Sequence, residues 1–107
     1  MGAKENSVQA EVLDALKYLG VFAWRNNNQG RWLPSKGTWI KSAAFPGISD
    51  ILGMTREGRF VGVECKSSEG TATPEQLEFI AEVRRRGGIG FVARCAQDVF
   101  DNFKENT

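Results

Sequence analysis

Two neighbouring stretches of the chain carry the clearest pattern for its fold. Residues 46–54 read Pro-Gly-Ile-Ser-Asp-Ile-Leu-Gly-Met, and residues 59–66 read Arg-Phe-Val-Gly-Val-Glu-Cys-Lys. Both are rich in apolar and β-branched residues, and the polar Thr-Arg-Glu-Gly segment between them is typical of a turn. The pattern therefore predicts a β-hairpin with strands over residues 49–54 and 59–66.

The second strand of this hairpin has two different faces. Side chains alternate along a strand, so Val61, Val63 and Cys65 share one apolar face. Glu64 and Lys66 lie on the opposite face, where charges beside a buried strand are unusual. The pattern leaves two interpretations open: a functional pair, or a solvated ion pair at the sheet edge that adds little stability.

The length of the turn decides which residue of the first strand lies across from Glu64. A four-residue turn pairs Asp50 with Val63, and a two-residue turn pairs Asp50 with Cys65. Either register leaves Asp50 one step from Glu64, which in a regular ladder puts the two side chains on opposite faces. We expect the carboxylates to converge through a bend or bulge after the preceding proline and glycine.

The remaining elements alternate between helix and strand. Apolar residues at helical spacing predict a first helix over residues 5–19, and Thr73 before Pro74 predicts the start of a second. The order α-β-β-β-α-β-α predicts an α/β fold, a central mixed sheet flanked by helices. The other predicted elements are a strand at 21–25, a long polar loop at 26–38, a brief strand at 39–41, a strand at 89–94 and a short last helix.

Composition sets limits on the class of protein. The 107 residues, 41% of them hydrophobic, match a single domain over residues 1–107. No apolar run is long enough to cross a membrane, the N-terminus lacks a signal-peptide core, and Cys65 and Cys95 resemble buried free thiols. We therefore expect a cytoplasmic protein that binds no membrane.

The chain has no histidine, which narrows the chemistry of any active site. Triad hydrolysis and histidine-metal sites are excluded. Asp50 and Glu64 are hard oxygen ligands for Mg²⁺ or Mn²⁺, and the backbone carbonyl of Cys65 could add a third. Lys66 could orient a water or stabilise charge on a phosphate. These residues suit metal-assisted hydrolysis of a phosphodiester.

The ordered set of motifs resembles a known nuclease signature. Pro46-Gly47-Ile48-Ser49-Asp50, followed by Glu64-Cys65-Lys66 and by a helix starting Thr73-Pro74-Glu75-Gln76, is similar to the PD-(D/E)xK superfamily and its VRR-NUC (virus-type replication-repair nuclease) branch. The resemblance implies a restriction-endonuclease-like core and Mg²⁺-dependent DNA cleavage, with Asp50 and Glu64 as metal ligands and Lys66 as the catalytic lysine.

The same resemblance implies a substrate and an assembly. Stand-alone members are similar to Holliday-junction resolvases, so we expect branched DNA, a homodimer, no organic cofactor, and a bacterial or phage-infected host cell. The alternatives are a flap or other DNA nuclease of the same fold, a non-catalytic DNA-binding module, and an interaction domain. All three signature residues are present, which argues against a relic site.

Two further site residues follow from the resemblance. The family places a glutamate on the first helix, which would add a metal ligand. Glu5 and Glu11 compete for this place, and we prefer Glu5, because it shares the face of Gln9 and the apolar residues. Gln76 would lie near the site, although Thr73 and Gln76 also have the spacing of a capping box.

A basic and aromatic stretch precedes the proposed site. No acidic residue occurs between Asp14 and Asp50, and this span holds all three tryptophans. Trp24, within an apolar strand, is expected in the core. Basic residues interleaved with aromatic ones suit phosphates and exposed bases, even at a net charge of +1. The predicted DNA-binding residues are Arg25, Asn26, Asn27, Arg31, Trp32, Lys36 and Lys41.

Overall fold

A computed structural model describes residues 3–26, 31–40 and 46–106. Three helices and six strands occur in these ranges, and none of the helices is long and apolar enough to cross a membrane. In chain order they are α1 (Ala3–Tyr18), β1 (Phe22–Arg25), β2 (Arg31–Leu33), β3 (Thr38–Ile40), β4 (Ile51–Met54), β5 (Phe60–Cys65), α2 (Pro74–Arg85), β6 (Ile89–Ala93) and α3 (Ala96–Glu105).

The central sheet has four strands in the order β1-β4-β5-β6. β4 is antiparallel to both β1 and β5, and β6 runs parallel to β5 after the crossover through α2. Apart from the separate β2–β3 hairpin, the element order is the predicted α-β-β-β-α-β-α. The predicted α/β class, with a mixed sheet flanked by helices, is confirmed.

Helices cover the two faces of the sheet. The core lies between α1, α3 and the face of β5 that carries Val61, Val63 and Cys65, all fully buried. The opposite face packs against α2, since a side chain at Gly62 would contact Phe79 of that helix. The predicted separation of β5 into an apolar face and an opposite face is thus confirmed, and Glu64 lies on the face that packs against α2.

The long polar loop predicted for residues 26–38 is wrong in part. Arg31–Leu33 and Thr38–Ile40 pair as an antiparallel hairpin, with Trp32 opposite Trp39. Strands of three residues are too short to show alternation in the sequence. The brief strand predicted at 39–41 is β3, and its last predicted residue lies outside the described range.

Both registers predicted for the β4–β5 hairpin are wrong by one residue. Met54 pairs with Phe60 and Ile51 with Val63. Thr55 N also donates to Arg59 O at 2.9 Å, so the turn has three residues at its tip, 56–58, rather than four or two. Gly58 ends this tip with φ +88, the left-handed conformation that three-residue hairpins favour. Continued by one residue, the observed register puts Asp50 opposite Glu64 without a bulge.

Trp24 does not lie in the core, contrary to the prediction. Its side chain is 41% exposed and contacts the ring of Phe22, with centroids 5.4 Å apart. β1 is an edge strand, and α2 packs against β5 and β6 instead. The apolar composition of β1 therefore indicated a strand but not a buried face.

The start of α2 is built from two contacts. Thr73 Oγ1 accepts from Gln76 N at 3.2 Å, and Gln76 Oε1 accepts from Thr73 N at 2.8 Å, so the predicted capping box is confirmed. Gly47, at φ +79, lies so close to the backbone of Glu75 that a Cβ there would overlap its carbonyl group. This packing fixes the segment leading to Asp50 against the helix N-terminus.

We expect Gly47→Ala to lower the free energy of unfolding by roughly 2–4 kcal/mol, because the new methyl group adds an overlap to the ~1 kcal/mol of left-handed strain. Urea denaturation followed by circular dichroism measures this change. Gly58→Ala is the matched control, since Gly58 has φ +88 with nothing within 4 Å of its Cβ position. Equal losses in the two variants would contradict the proposed packing.

Candidate active site

The signature residues meet where β4 begins and β5 ends. Asp50 precedes β4, and its Oδ2 accepts a hydrogen bond of 2.9 Å from the backbone N–H of Cys65. Lys66 follows β5, and its Nζ lies 3.5 Å from Glu64 Oε2. The structure therefore brings Asp50, Glu64 and Lys66 together, as the sequence predicted.

Glu64 is buried rather than solvated. The residue is 1% exposed, and the side chain of its partner Lys66 is only 12% exposed. Glu64 Oε1 is buried without a hydrogen-bond partner. A solvated ion pair at the sheet edge is therefore the wrong interpretation, since both groups have lost most of their water.

Burial dominates the electrostatics of the site. Desolvation, together with the negative charge of Asp50, raises the pKa of Glu64 to about 8, and the nearby Lys66 ammonium opposes this rise only in part. Desolvation and the same carboxylates also raise the pKa of the Cys65 thiol. Cys65 is thus a buried neutral thiol, and only its backbone groups are available to the site; Cys95, also free, is half-buried.

The two carboxylates fit a divalent cation. Glu64 Oε1 is an oxygen without a partner, and a hard cation would satisfy it and offset the repulsion from Asp50. No group of three or more aspartate, glutamate or cysteine side chains is placed to hold a metal within the described ranges. Further ligands would therefore be backbone oxygens, such as the Cys65 carbonyl, or waters.

The two glutamates of α1 occupy different places. Glu11 Oε2 accepts from the backbone N–H of Ala96 at 2.5 Å and so caps the first turn of α3. Glu5 Oε2 lies 3.5 Å from the Cβ position of Gly70, which also faces the stem of Lys66. The preferred candidate, Glu5, is therefore beside Lys66, although it does not join Asp50 and Glu64 in a three-carboxylate cluster.

Gln76 has an observed structural role. Its Oε1 accepts the hydrogen bond that completes the capping box of α2. Its backbone nitrogen lies against Gly47, in the segment leading to Asp50. Capping is therefore established by geometry, and a role for Gln76 in the site stays a prediction.

The predicted DNA-binding residues that the structure describes lie at the end of β1 and on the separate β2–β3 hairpin. Asn26 N donates to Asp50 O at 2.7 Å, which places Asn26 beside the site, and Arg25 is exposed at the end of β1. Trp32 and Lys36 are exposed on the β2–β3 hairpin. The structure describes no side chain for the other three predicted residues. Arg31 is described only as backbone of β2, and Asn27 and Lys41 lie outside the described residues.

Ser49 is a site neighbour that was not singled out from the sequence. It is fully buried, and its Oγ has no hydrogen-bond partner and lies 3.3 Å from the Cβ position of Gly62. Its backbone oxygen accepts from Asn26 Nδ2 at 3.5 Å. Its position between Gly47 and Asp50 in the quoted motif was the available signal.

Comparison with known proteins bears on the fold. A solved structure described as "VRR_NUC domain" matches with a TM-score of 0.62 at 24% sequence identity, covering 96% of this chain and 97% of that chain. No family model matches the sequence, and no curated protein matches it. The chain therefore has the fold of a VRR_NUC domain over nearly its whole length, as its motifs indicated.

We expect the free energy of unfolding of the metal-free protein to fall between about pH 5 and pH 8. Glu64 has a pKa of 4.5 when unfolded and about 8 when folded, so the folded state binds the extra proton in this interval. Stability from this group is complete below pH 4.5 and is lost as pH rises through the folded pKa, by at most about 1.4 kcal/mol per pH unit.

Chemical denaturation across this pH range, without divalent cations, measures the slope. Glu64→Gln should flatten it, because the amide does not titrate. Glu69→Gln, at an exposed position in the following turn, should leave it unchanged. A slope that survives in Glu64→Gln would assign the pH dependence to another group.

Proposed function

We propose that this protein is a divalent-metal-dependent, structure-selective DNA endonuclease. One observation carries the proposal: a pair of carboxylates at adjacent strand ends, one with a buried oxygen lacking a partner, beside a lysine whose side chain is only 12% exposed. The fold shared with a VRR_NUC domain supports nuclease chemistry at this place. Mg²⁺ or Mn²⁺ is the proposed cofactor.

Asp50, Glu64 and Lys66 would have separate roles in hydrolysis of the phosphodiester. When bound, a divalent cation would polarise the scissile phosphate and promote ionisation of an attacking water. Asp50 is oriented by the Cys65 N–H, which donates to its Oδ2, and Asp50 and Glu64 together would hold the cation. Glu64 must lose its proton to bind the cation. Lys66 Nζ lies 3.5 Å from Glu64 Oε2 and would donate to the phosphate or the attacking water.

We propose that the β2–β3 hairpin and the end of β1 hold the DNA. The hairpin presents Trp32 and Lys36 to solvent, and Arg25 is exposed next to Asn26, which contacts the backbone of Asp50. A tryptophan can stack on an unpaired base, and lysine and arginine neutralise phosphates. Unpaired bases occur at junctions and flaps, so this surface favours branched DNA over a uniform duplex.

The motif resemblance supports three further proposals. We propose that the protein assembles as a homodimer, prefers a Holliday junction as substrate, and acts in the cytoplasm of a bacterial or phage-infected cell. A resolvase has to cut two strands symmetrically, which a two-fold dimer would do. Sedimentation with and without a four-way junction tests the assembly. If the protein is a monomer and cuts only flaps, the proposed resolvase activity is wrong and the protein is a flap nuclease.

We expect Lys66→Ala and Asp50→Ala each to lower the rate of DNA cleavage by about 100-fold or more, because each removes a group that acts on the reacting phosphate or its metal. The measurement is a cleavage panel of linear duplex, single strand, flap, splayed arm and four-way junction, with Mg²⁺ or Mn²⁺. Asp14→Ala and Lys17→Ala, exposed on α1, are controls that should cut normally.

Full cleavage in excess EDTA would exclude the metal-dependent mechanism. Binding to junctions without cleavage by any divalent ion would instead identify a non-catalytic DNA-binding module. Binding of Mn²⁺, followed by calorimetry, supplies a readout that does not depend on activity. It should be lost in Asp50→Ala and retained in Asp14→Ala.

We expect Trp32→Ala and Lys36→Ala to weaken DNA binding in different ways. Loss of the tryptophan should cost about 1–3 kcal/mol with single-stranded or branched DNA, through lost stacking. Loss of the lysine should lower the slope of log affinity against log salt by about 1. Fluorescence anisotropy across a salt series separates the two effects.

Lys17→Ala is the control for the loss of one positive charge. Lys17 lies about 18 Å along α1 from Glu5, the helix residue beside Lys66, and is therefore far from the proposed active site. Unchanged binding in both hairpin variants would place the DNA on another surface.

A further inference from the structure

The turn after Lys66 covers the stem of that side chain. Gly70 N donates to Ser67 O at 3.1 Å, which closes a turn over residues 67–70. The Cβ position of Gly70 lies 3.4 Å from Lys66 Cδ and 3.5 Å from Lys66 Cβ. The turn therefore packs along the methylene groups of Lys66 and leaves its ammonium directed at Glu64.

A single guanidinium holds both ends of this turn. Arg94 Nη1 donates to the carbonyl oxygen of Ser67 and to that of Gly70, the second at 2.7 Å. Arg94 directly follows β6, and the preceding residue, Ala93, accepts a 3.1 Å hydrogen bond from Lys66 N through its carbonyl oxygen. The end of β6 thus fixes both the backbone of Lys66 and the turn that packs on its side chain.

The base of Arg94 is also fixed. Its backbone N–H donates to Asp98 Oδ2 at 2.8 Å, in the first turn of α3. A charged donor that bridges two carbonyl groups forms stronger hydrogen bonds than a neutral one would. The arginine is therefore anchored at its backbone and engaged at its guanidinium.

We propose that Arg94 is a positioning residue for Lys66: it closes the 67–70 turn over the lysine stem and so aims the ammonium at the Glu64 carboxylate. The inference rests on the proposed function for the role of Lys66. Lysine has a long flexible stem, and a misplacement of about 1 Å can cost up to 100-fold in rate. Arg94 acts through the turn and does not touch the substrate.

The kinetic test uses Arg94→Ala and Arg94→Lys on the best DNA substrate. Arg94→Ala should lower kcat by ~10- to 100-fold with KM changed less than about threefold, because orientation is lost while DNA contacts remain. Arg94→Lys should recover part of the loss, since an ammonium can hold one of the two carbonyls. Added guanidinium ion should also restore part of the rate in Arg94→Ala, compared with sodium chloride at equal concentration.

Arg59→Ala is a matched control. Arg59 also bridges two backbone carbonyls, those of Gly87 and Asn106, through its Nε and Nη1. It lies just before β5, at the opposite end of that strand from Lys66. Its loss should leave kcat unchanged and give no response to guanidinium. A rise in KM with unchanged kcat in Arg94→Ala would make Arg94 a DNA contact and overturn the proposal.

A measurement on the metal-free protein separates this inference from the proposed function. Amide exchange at Gly70 should become at least ~10-fold faster in Arg94→Ala. NMR relaxation of the Lys66 side chain should show a wider range of motion, and neither quantity should change in Arg59→Ala. Unchanged motion of Lys66 would overturn the positioning role even if the enzyme is active. Increased motion in a protein that cuts no DNA would retain the positioning role and reject the nuclease.

Discussion

The register between β4 and β5 is the constraint on which the site depends. The three-residue turn tip pairs Ile51 with Val63, and the next position along the ladder sets Asp50 opposite Glu64. A shift of one residue in either direction would turn one carboxylate toward the core behind the sheet. The bond from Cys65 N to Asp50 Oδ2 continues the ladder with a side chain in place of a backbone acceptor.

This geometry brings the site residues together but destabilises the charged form of Glu64. Glu64 is buried near another acid, and the 3.5 Å pair with Lys66 does not return its pKa to the ordinary range. Unsatisfied buried oxygens are rare because each costs free energy. Ser49 Oγ, also buried without a partner, lies on the same side of the sheet.

The near-neutral charge of the chain conceals an uneven distribution. The acid-free span before Asp50 holds five of the 14 basic residues, while the acids of the site and helices balance them. A bound divalent cation would make the site itself more positive. A net charge of +1 is thus compatible with the proposed DNA-binding residues. The absence of histidine remains informative, because carboxylate-and-lysine chemistry does not need it.

The sequence alone determined what depends on local spacing. The capping box of Thr73 and Gln76 and the apolar face of β5 follow from neighbours a few positions apart. Only the tertiary structure decided the register that pairs Asp50 with Glu64, the exposure of Trp24 on an edge strand, and the bridge from Arg94 to the turn after Lys66. These depend on which distant segments pack together, and such contacts are set by the whole fold rather than by any single stretch of the chain.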